Sequence, residues 1–249
     1  MIKSVYFSGT GKTEDCIKKI SKLFGENINY IDITSKSQRE NNFEFNKDDI
    51  VVVGMPVYAG QIPAVERITD CIKGNNTPCI IIACYGNRHY DDSLAQMKNL
   101  LEYRGFKVVG GAAVIIEHTF AESLGKNRPD ENDMAEIKVW ANNVIEKIKK
   151  GDISSTDFPG NPNPEPKKSI PVPKTINYEE CIKCGTCYKE CPISDIKFDD
   201  KPEFKNENCI NCMRCVSVCP KKCISYDCSP LTKRLIDNFS EPRKLELFV

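Results

Sequence analysis

The sequence predicts an α/β fold, a doubly wound parallel sheet, followed by a second and smaller domain built around cysteines. Three observations carry this prediction. Short apolar, β-rich runs alternate with stretches of helical periodicity up to about residue 150, the pattern of strands joined by helical crossovers. Two of those runs, residues 50–55 and 78–84, are apolar almost without a break, as strands covered on both faces are. Beyond residue 180 the alternation stops and one cysteine spacing is written twice. A chain of 249 residues has length for two domains. Ten of its fourteen cysteines follow residue 180, so the first domain must stand on a core of its own.

Residues 2–7 form the first strand and end in Ser8, Gly9, Thr10, Gly11, Lys12 and Thr13, after which Cys16, Ile17, Ile20, Leu23 and Phe24 recur at helical spacing. A loop of glycines and hydroxyls between a strand and a helix is an anion site: amides point outward, the helix dipole favours negative charge and the hydroxyls donate. A bound phosphate is expected there. A nucleoside-triphosphatase loop is excluded because Tyr6 stands where that motif needs its first glycine, and a dinucleotide loop because the third glycine is missing. Residues 28–33 and 50–55 are the second and third strands. Pro56, Val57, Tyr58, Ala59 and Gly60 then form a loop, and Pro63 is placed to open a helix through Cys71 and Ile72. The strand over 78–84 ends in Tyr85, Gly86, Asn87, Arg88, His89, Tyr90 and Asp91. A helix marked by Leu94, Met97, Leu100 and Leu101, a strand over 106–116 and a last helix marked by Met134, Ile137, Val144, Ile145 and Ile148 complete the pattern. Ligands of such sheets bind at the C-terminal strand ends beside the switch point, where three of these loops gather.

Together the three loops resemble the FMN site of the flavodoxin family, a resemblance that covers residues 1–150. The family's phosphate loop, Ser/Thr-x-Thr-Gly-x-Thr, is matched by Ser8, Thr10, Gly11 and Thr13, with Gly9 and Lys12 between them. The loops that bracket the flavin ring are matched by Pro56, Val57, Tyr58, Ala59 and Gly60, and by Tyr85, Gly86, Asn87, Arg88, Tyr90 and Asp91. The resemblance implies a flavodoxin-like sheet with FMN as cofactor. Lys12 stands where the family commonly has asparagine, and either adds a cation near the phosphate or points into solvent. Tyr58 and Tyr90 either stack on the ring or pack their own loops. An isoalloxazine needs apolar faces and polar groups at its edge. Asp91 and Asp92 at that edge would lower its potential, but two acidic residues ahead of Ser93 also suit the first turn of a helix, and that reading is preferred.

Cys181, Cys184, Cys187 and Cys191 follow C-x-x-C-x-x-C-x-x-x-C and end in Pro192; Cys209, Cys212, Cys215 and Cys219 repeat the pattern 28 residues later and end in Pro220. Ile182 matches Ile210, and Ile196 matches Ile224, so the unit is duplicated. Thiolates are soft ligands suited to iron–sulfur clusters, and three of them spaced by three residues wrap one corner of a cluster. The fourth serves the other cluster: Cys219 joins Cys181, Cys184 and Cys187, while Cys191 joins Cys209, Cys212 and Cys215. Structural zinc competes for C-x-x-C pairs but gives no reason for a third evenly spaced cysteine, and disulfides suit this spacing poorly. Residues 175–230 strongly resemble the two-cluster bacterial ferredoxins, which implies a small α+β domain with two 4Fe–4S clusters.

Residues 151–174 hold six prolines and almost no apolar periodicity, and read as a linker that either spaces the domains or lies along the surface beside the flavin. Residues 231–249 form a tail, with a short helix starting near Ser229 and Pro230 that packs on its own protein. Cys223 and Cys228 read as spare thiols, Cys16, Cys71, Cys79 and Cys84 as core, His89 as an exposed loop residue, and Trp140 as packing. Lys plus Arg and Asp plus Glu each total 35, which argues against nucleic acid. No run suits membrane insertion, and cytoplasmic placement fits the reduced thiols. The expected work is electron transfer in anaerobic metabolism, with low-potential redox proteins as donors and acceptors and the oligomeric state open. The alternative is a flavin-dependent reductase of a small molecule or an NAD(P)H-linked oxidoreductase with the clusters as relay.

Overall fold

The computed structural model describes residues 1–167 and 170–249. In chain order the elements are β1 (Ile2–Tyr6), α1 (Lys12–Ser21), β2 (Ile28–Asp32), α2 (Lys36–Arg39), β3 (Phe43–Glu44), β4 (Ile50–Pro56), β5 (Ile72–Lys73), β6 (Thr77–Tyr85), α3 (Ser93–Tyr103), β7 (Phe106–Ile115) and α4 (Glu131–Lys149). After the proline-rich segment come β8 (Lys174–Ile176), α5 (Thr186–Lys189), β9 (Ile196–Phe198), β10 (Pro202–Phe204), α6 (Arg214–Ser217), β11 (Ile224–Tyr226), α7 (Ser229–Phe239) and β12 (Glu246–Phe248).

Among the described residues the large sheet runs β12-β7-β6-β4-β1-β2. Its first five strands in sequence are mutually parallel, and β12 adds an antiparallel edge. The order reverses between β1 and β4, so the loops after those strands face each other across the switch point. Strand period two splits the core. Val53, Ile81 and Ala83 join Phe7, Tyr90 and Leu94 on one face, while Val52, Ile80 and Ile82 pack with Ile17, Ile137 and Trp140 on the other. Ile80, Ile81 and Ile82 are fully buried, each contributing about 1.5–3 kcal/mol of apolar burial. The capping box of Asp130 and Asp133 starts α4, where the unpaired amides of a first turn need acceptors.

The helix expected from Pro63 through Ile72 is absent. That stretch is a series of turns, with Val65 donating to the Pro63 carbonyl, and Arg67 adopts φ 58°; a left-handed residue breaks a helix, and Val65, Ile68 and Thr69 are weak helix formers. It ends in β5, which pairs in parallel with β3, a small sheet that short polar flanks concealed in the sequence.

The proline-rich segment lies along the first domain. The Thr156 amide donates to the Val108 carbonyl, Phe158 packs edge-on to Phe248, the Asn161 amide donates to the Asp92 carboxylate, and Gln61 donates to the Glu165 carbonyl. Residues 168 and 169 of the expected linker lie outside the described residues. In the second part, β8 pairs with β11 and β9 with β10, all antiparallel. The tail returns to the large sheet: α7 seats Leu235 against Ala121 and Leu124, and β12 aligns Leu247 with Ala112 of β7. Among the described residues no helix is long and apolar enough to cross a membrane.

Candidate functional site

The phosphate loop is held open by its neighbours. The Ser8 amide donates to Thr34 Oγ1 at 2.8 Å, and Ser8 Oγ accepts from the Glu14 amide at 3.1 Å. Gly11 caps α1 at φ 91° without a side-chain cap of its own, and among the first-turn amides of α1 it is that of Glu14 that Ser8 caps from within the loop. A Cβ on Gly11 would meet nothing within 4 Å; the backbone conformation is what calls for glycine there. Thr13 is buried. Lys12 Nζ pairs with Glu117 Oε1 at 2.6 Å.

Gly9 has a different task. A Cβ there would stand 2.2 Å from the Cys212 carbonyl oxygen, so glycine lets the second cysteine repeat lie directly on the loop. Ser217 Oγ donates to the Gly9 carbonyl at 3.0 Å. Arg39, 1% exposed, donates to the carbonyls of Ile33, Thr34, Ser35 and Glu66 and, across the same interface, to Pro192.

The two loops expected to bracket a ring are bonded to each other. The Asp92 amide donates to the Gly60 carbonyl at 2.9 Å, and Asp91 packs on Gly60 while accepting from Arg88. Pro56 ends β4, the Val57 amide donates to the Cys84 carbonyl, and Ala59 and Gly60 form a turn at φ 52° and 87°. Tyr58 sits edge-on to Phe7 at 6.4 Å, and burial beside Cys212 raises its hydroxyl well above the ordinary tyrosine value. Tyr90 is buried, stacked under His89 at 4.8 Å, and donates to Glu246 Oε2 at 2.6 Å. Asn87 Nδ2 donates to the carbonyls of Phe239 and Glu241, and its Oδ1 accepts from the Arg243 amide. Thus Asn87 and Tyr90 serve the tail. Asp92 is the N-cap residue of α3, at the helix start as expected, and its carboxylate accepts from the Asn161 amide rather than from the helix. Gly86 lies against the His118 ring; burial, then Lys12, pushes that imidazole down to about 4. Tyr85 also belongs to this loop, and burial pushes its phenol up to about 12.

The cysteines surround two concavities. Cys181, Cys184, Cys187 and Cys219 line the first; Cys191, Cys209, Cys212 and Cys215 line the second. The geometry follows from the duplication: Cys187 and Cys215 ride on α5 and α6, which start at left-handed Gly185 (φ 73°) and Met213 (φ 56°), and Glu190 pairs with Arg214 between the repeats at 2.5 Å. Among the described residues no three His, Cys, Asp or Glu side chains gather tightly enough for a single metal ion. The repeats differ in surroundings. Cys184 is exposed and Ile182 57% exposed, whereas Cys212 is buried and Ile210 packs into the core of the first domain. Cys223, expected to be spare, lines the first concavity with its Sγ 3.4 Å from that of Cys219.

Residues 4–114 match the flavodoxin domain family, and residues 173–220 the 4Fe-4S dicluster domain family. A flavodoxin domain is joined to a 4Fe–4S dicluster domain. Among solved structures, an archaeal flavodoxin is 13% identical, covering 59% of this chain and 98% of its own, with a TM-score of 0.39. Oxidised flavodoxin 2 from Bacillus cereus is 15% identical over 59% of this chain and 98% of its own, with a TM-score of 0.42. Comparison with curated proteins returns no match. These two domains make the chain an electron-transfer flavo-iron–sulfur protein in general terms. Beyond the expected ligands, the dicluster domain brings Lys174 to the second concavity and the flavodoxin domain brings Arg39 to its border. Neither carries a spacing signal; both act through contacts distant in sequence.

Proposed function

We propose that the chain carries electrons between external redox proteins, with FMN on the flavodoxin domain and a 4Fe–4S cluster in each concavity of the dicluster domain. The observation that carries the reading is the packing of the Cys212 carbonyl on Gly9, which joins the second cysteine site to the phosphate loop inside one chain. Ser8, Gly9, Thr10, Gly11, Lys12 and Thr13 would hold the phosphate, chiefly through backbone amides. Val57, Tyr58, Ala59 and Gly60 would meet the ring with Tyr85, Gly86, Arg88 and Asp91, in loops already braced by the Asp92–Gly60 bond. Cys181, Cys184, Cys187 and Cys219 would hold the first cluster, and Cys191, Cys209, Cys212 and Cys215 the second. When bound, flavin exchanges one or two electrons and each cluster one.

The chain's own contribution is position and dielectric. Cys184 and Ile182 open the first site to a protein partner, while Cys212, Tyr58 and Ile210 keep water from the second. Burial pushes the thiols of Cys212 and Cys215 up to about 12.

Anaerobic visible spectra of the cofactor-replete chain test this reading. Rapid reduction of flavin and clusters by a reduced low-potential ferredoxin, with no response to NADH or NADPH, is expected. Bleaching by the nicotinamide at catalytic speed would instead make the chain a reductase.

A further inference from the structure

The two cysteine sites arise from one repeated motif, yet their charged surroundings are unlike. At the second site Lys174 is 8% exposed, and its Nζ donates to Cys209 Sγ at 3.3 Å and to the Val172 carbonyl at 3.0 Å. It makes no ion pair among the described residues. A buried ammonium is unfavourable unless negative charge sits beside it, and the nearest candidates are the thiolates of this site. Arg39 adds a second buried cation at the border, one residue from Cys191 through the Pro192 carbonyl. The opposing charge is Asp195, whose amide donates to Cys191 Sγ at 3.4 Å and whose Oδ1 is occupied by the amides of Glu207 and Asn208. The first site has no such arrangement. Lys183 and Lys221 line it from exposed positions, and Lys183 is paired with Asp200 at 2.8 Å.

We propose that Lys174 is the counter-charge of the second site and makes it the more easily reduced of the two, so that electrons pass from the first site through the second to the flavodoxin domain. This rests on the two-cluster reading above. Two effects compete. Burial alone disfavours the extra negative charge of a reduced cluster, which would leave the dry second site harder to reduce than the exposed first. An ammonium in hydrogen-bonding contact with a ligand sulfur acts the other way, and little solvent screens it. Lys174 therefore sets the sign of the difference. In the step itself one electron leaves the first site and enters the second, no bond is made or broken, and an external one-electron protein donor refills the first. Lys174 is a positioning residue, acting through Cys209.

The test is an anaerobic redox titration of the full chain, reconstituted with iron and sulfide and followed by electron paramagnetic resonance, with Cys184→Ser used to identify the first-site signal. In the wild-type chain the second site is expected to be reduced first. Lys174→Met is expected to lower its reduction equilibrium at least tenfold, 59 mV for one electron, leaving the first site unmoved and reversing the order; Lys174→Arg restores most of the shift. Lys174→Gln keeps a donor without the charge and gives the same reversal if the methionine variant loads poorly. A wild-type first site reduced before the second, or either uncharged variant with unchanged potentials, overturns the proposal. Iron and sulfide short of two clusters in the wild-type chain overturns the reading beneath it, and is seen before any potential is measured.

Discussion

Gly9 and Gly11 stand two residues apart in one loop and are glycine for different reasons. Gly9 has no left-handed φ, so alanine suits the loop itself; what stands in the way is the Cys212 carbonyl. Gly9→Ala is expected to keep both cofactor spectra and slow electron exchange between domains by tenfold or more, measured by anaerobic stopped flow. Gly11→Ala strains φ 91° and is expected to weaken FMN binding about tenfold, near 1.4 kcal/mol, measured by fluorescence titration. His118 supplies a pH test. Its Nδ1 accepts from the Phe120 and Ala121 amides, and burial holds its pKa at about 4 against an ordinary 6.5. The unfolded chain thus binds the proton first as pH falls, and stability is lost downward through this window. The expected loss is about 1.5 kcal/mol between pH 6.5 and 5, and His118→Asn, which keeps an acceptor, removes that share of the slope in denaturant unfolding.

Among the elements, the tail is the least expected in its role. Strand β12 closes the edge of the sheet against β7, Trp140 Nε1 donates to the Phe248 carbonyl at 2.8 Å, and Glu246 accepts from Tyr90. A chain ending after Ser240 is expected to bare that edge and to loosen the loop that holds Asn87, read as a gain of hydrogen exchange in residues 85–92. The strands of the parallel sheet were legible because continuous apolar runs such as residues 78–84 admit few other folds. The short β3 and β5 were not, since two-residue strands leave no period, and the turns of residues 63–71 looked helical because Pro63 suits a first turn whether or not a helix follows. The packing of Leu247 and Phe248 on the sheet depends on β7, more than a hundred residues earlier, beyond any local pattern.

At the scale of the molecule the cysteine repeat was legible in the sequence, because a repeated spacing is a local pattern. The inequality of its halves was not. Ile182 and Ile210 occupy the same place in the motif, yet one is largely exposed and the other packs on the flavodoxin core; only docking distinguishes them. Arg39 bonds to four carbonyls of the flavodoxin domain and, across that interface, to the Pro192 carbonyl. Arg39→Met leaves buried acceptors unpaired, and is expected to cost about 2–4 kcal/mol in anaerobic denaturant unfolding.

The second cysteine site and the phosphate loop are packed as one unit, and in the proposed function electrons cross between the domains within the chain. Stopped-flow reduction of the replete protein by a substoichiometric donor, followed at flavin and cluster wavelengths over a range of protein concentrations, tests it most directly. An internal equilibration rate independent of concentration is expected. A rate that rises in proportion to concentration would mean that electrons pass between molecules, and would contradict it.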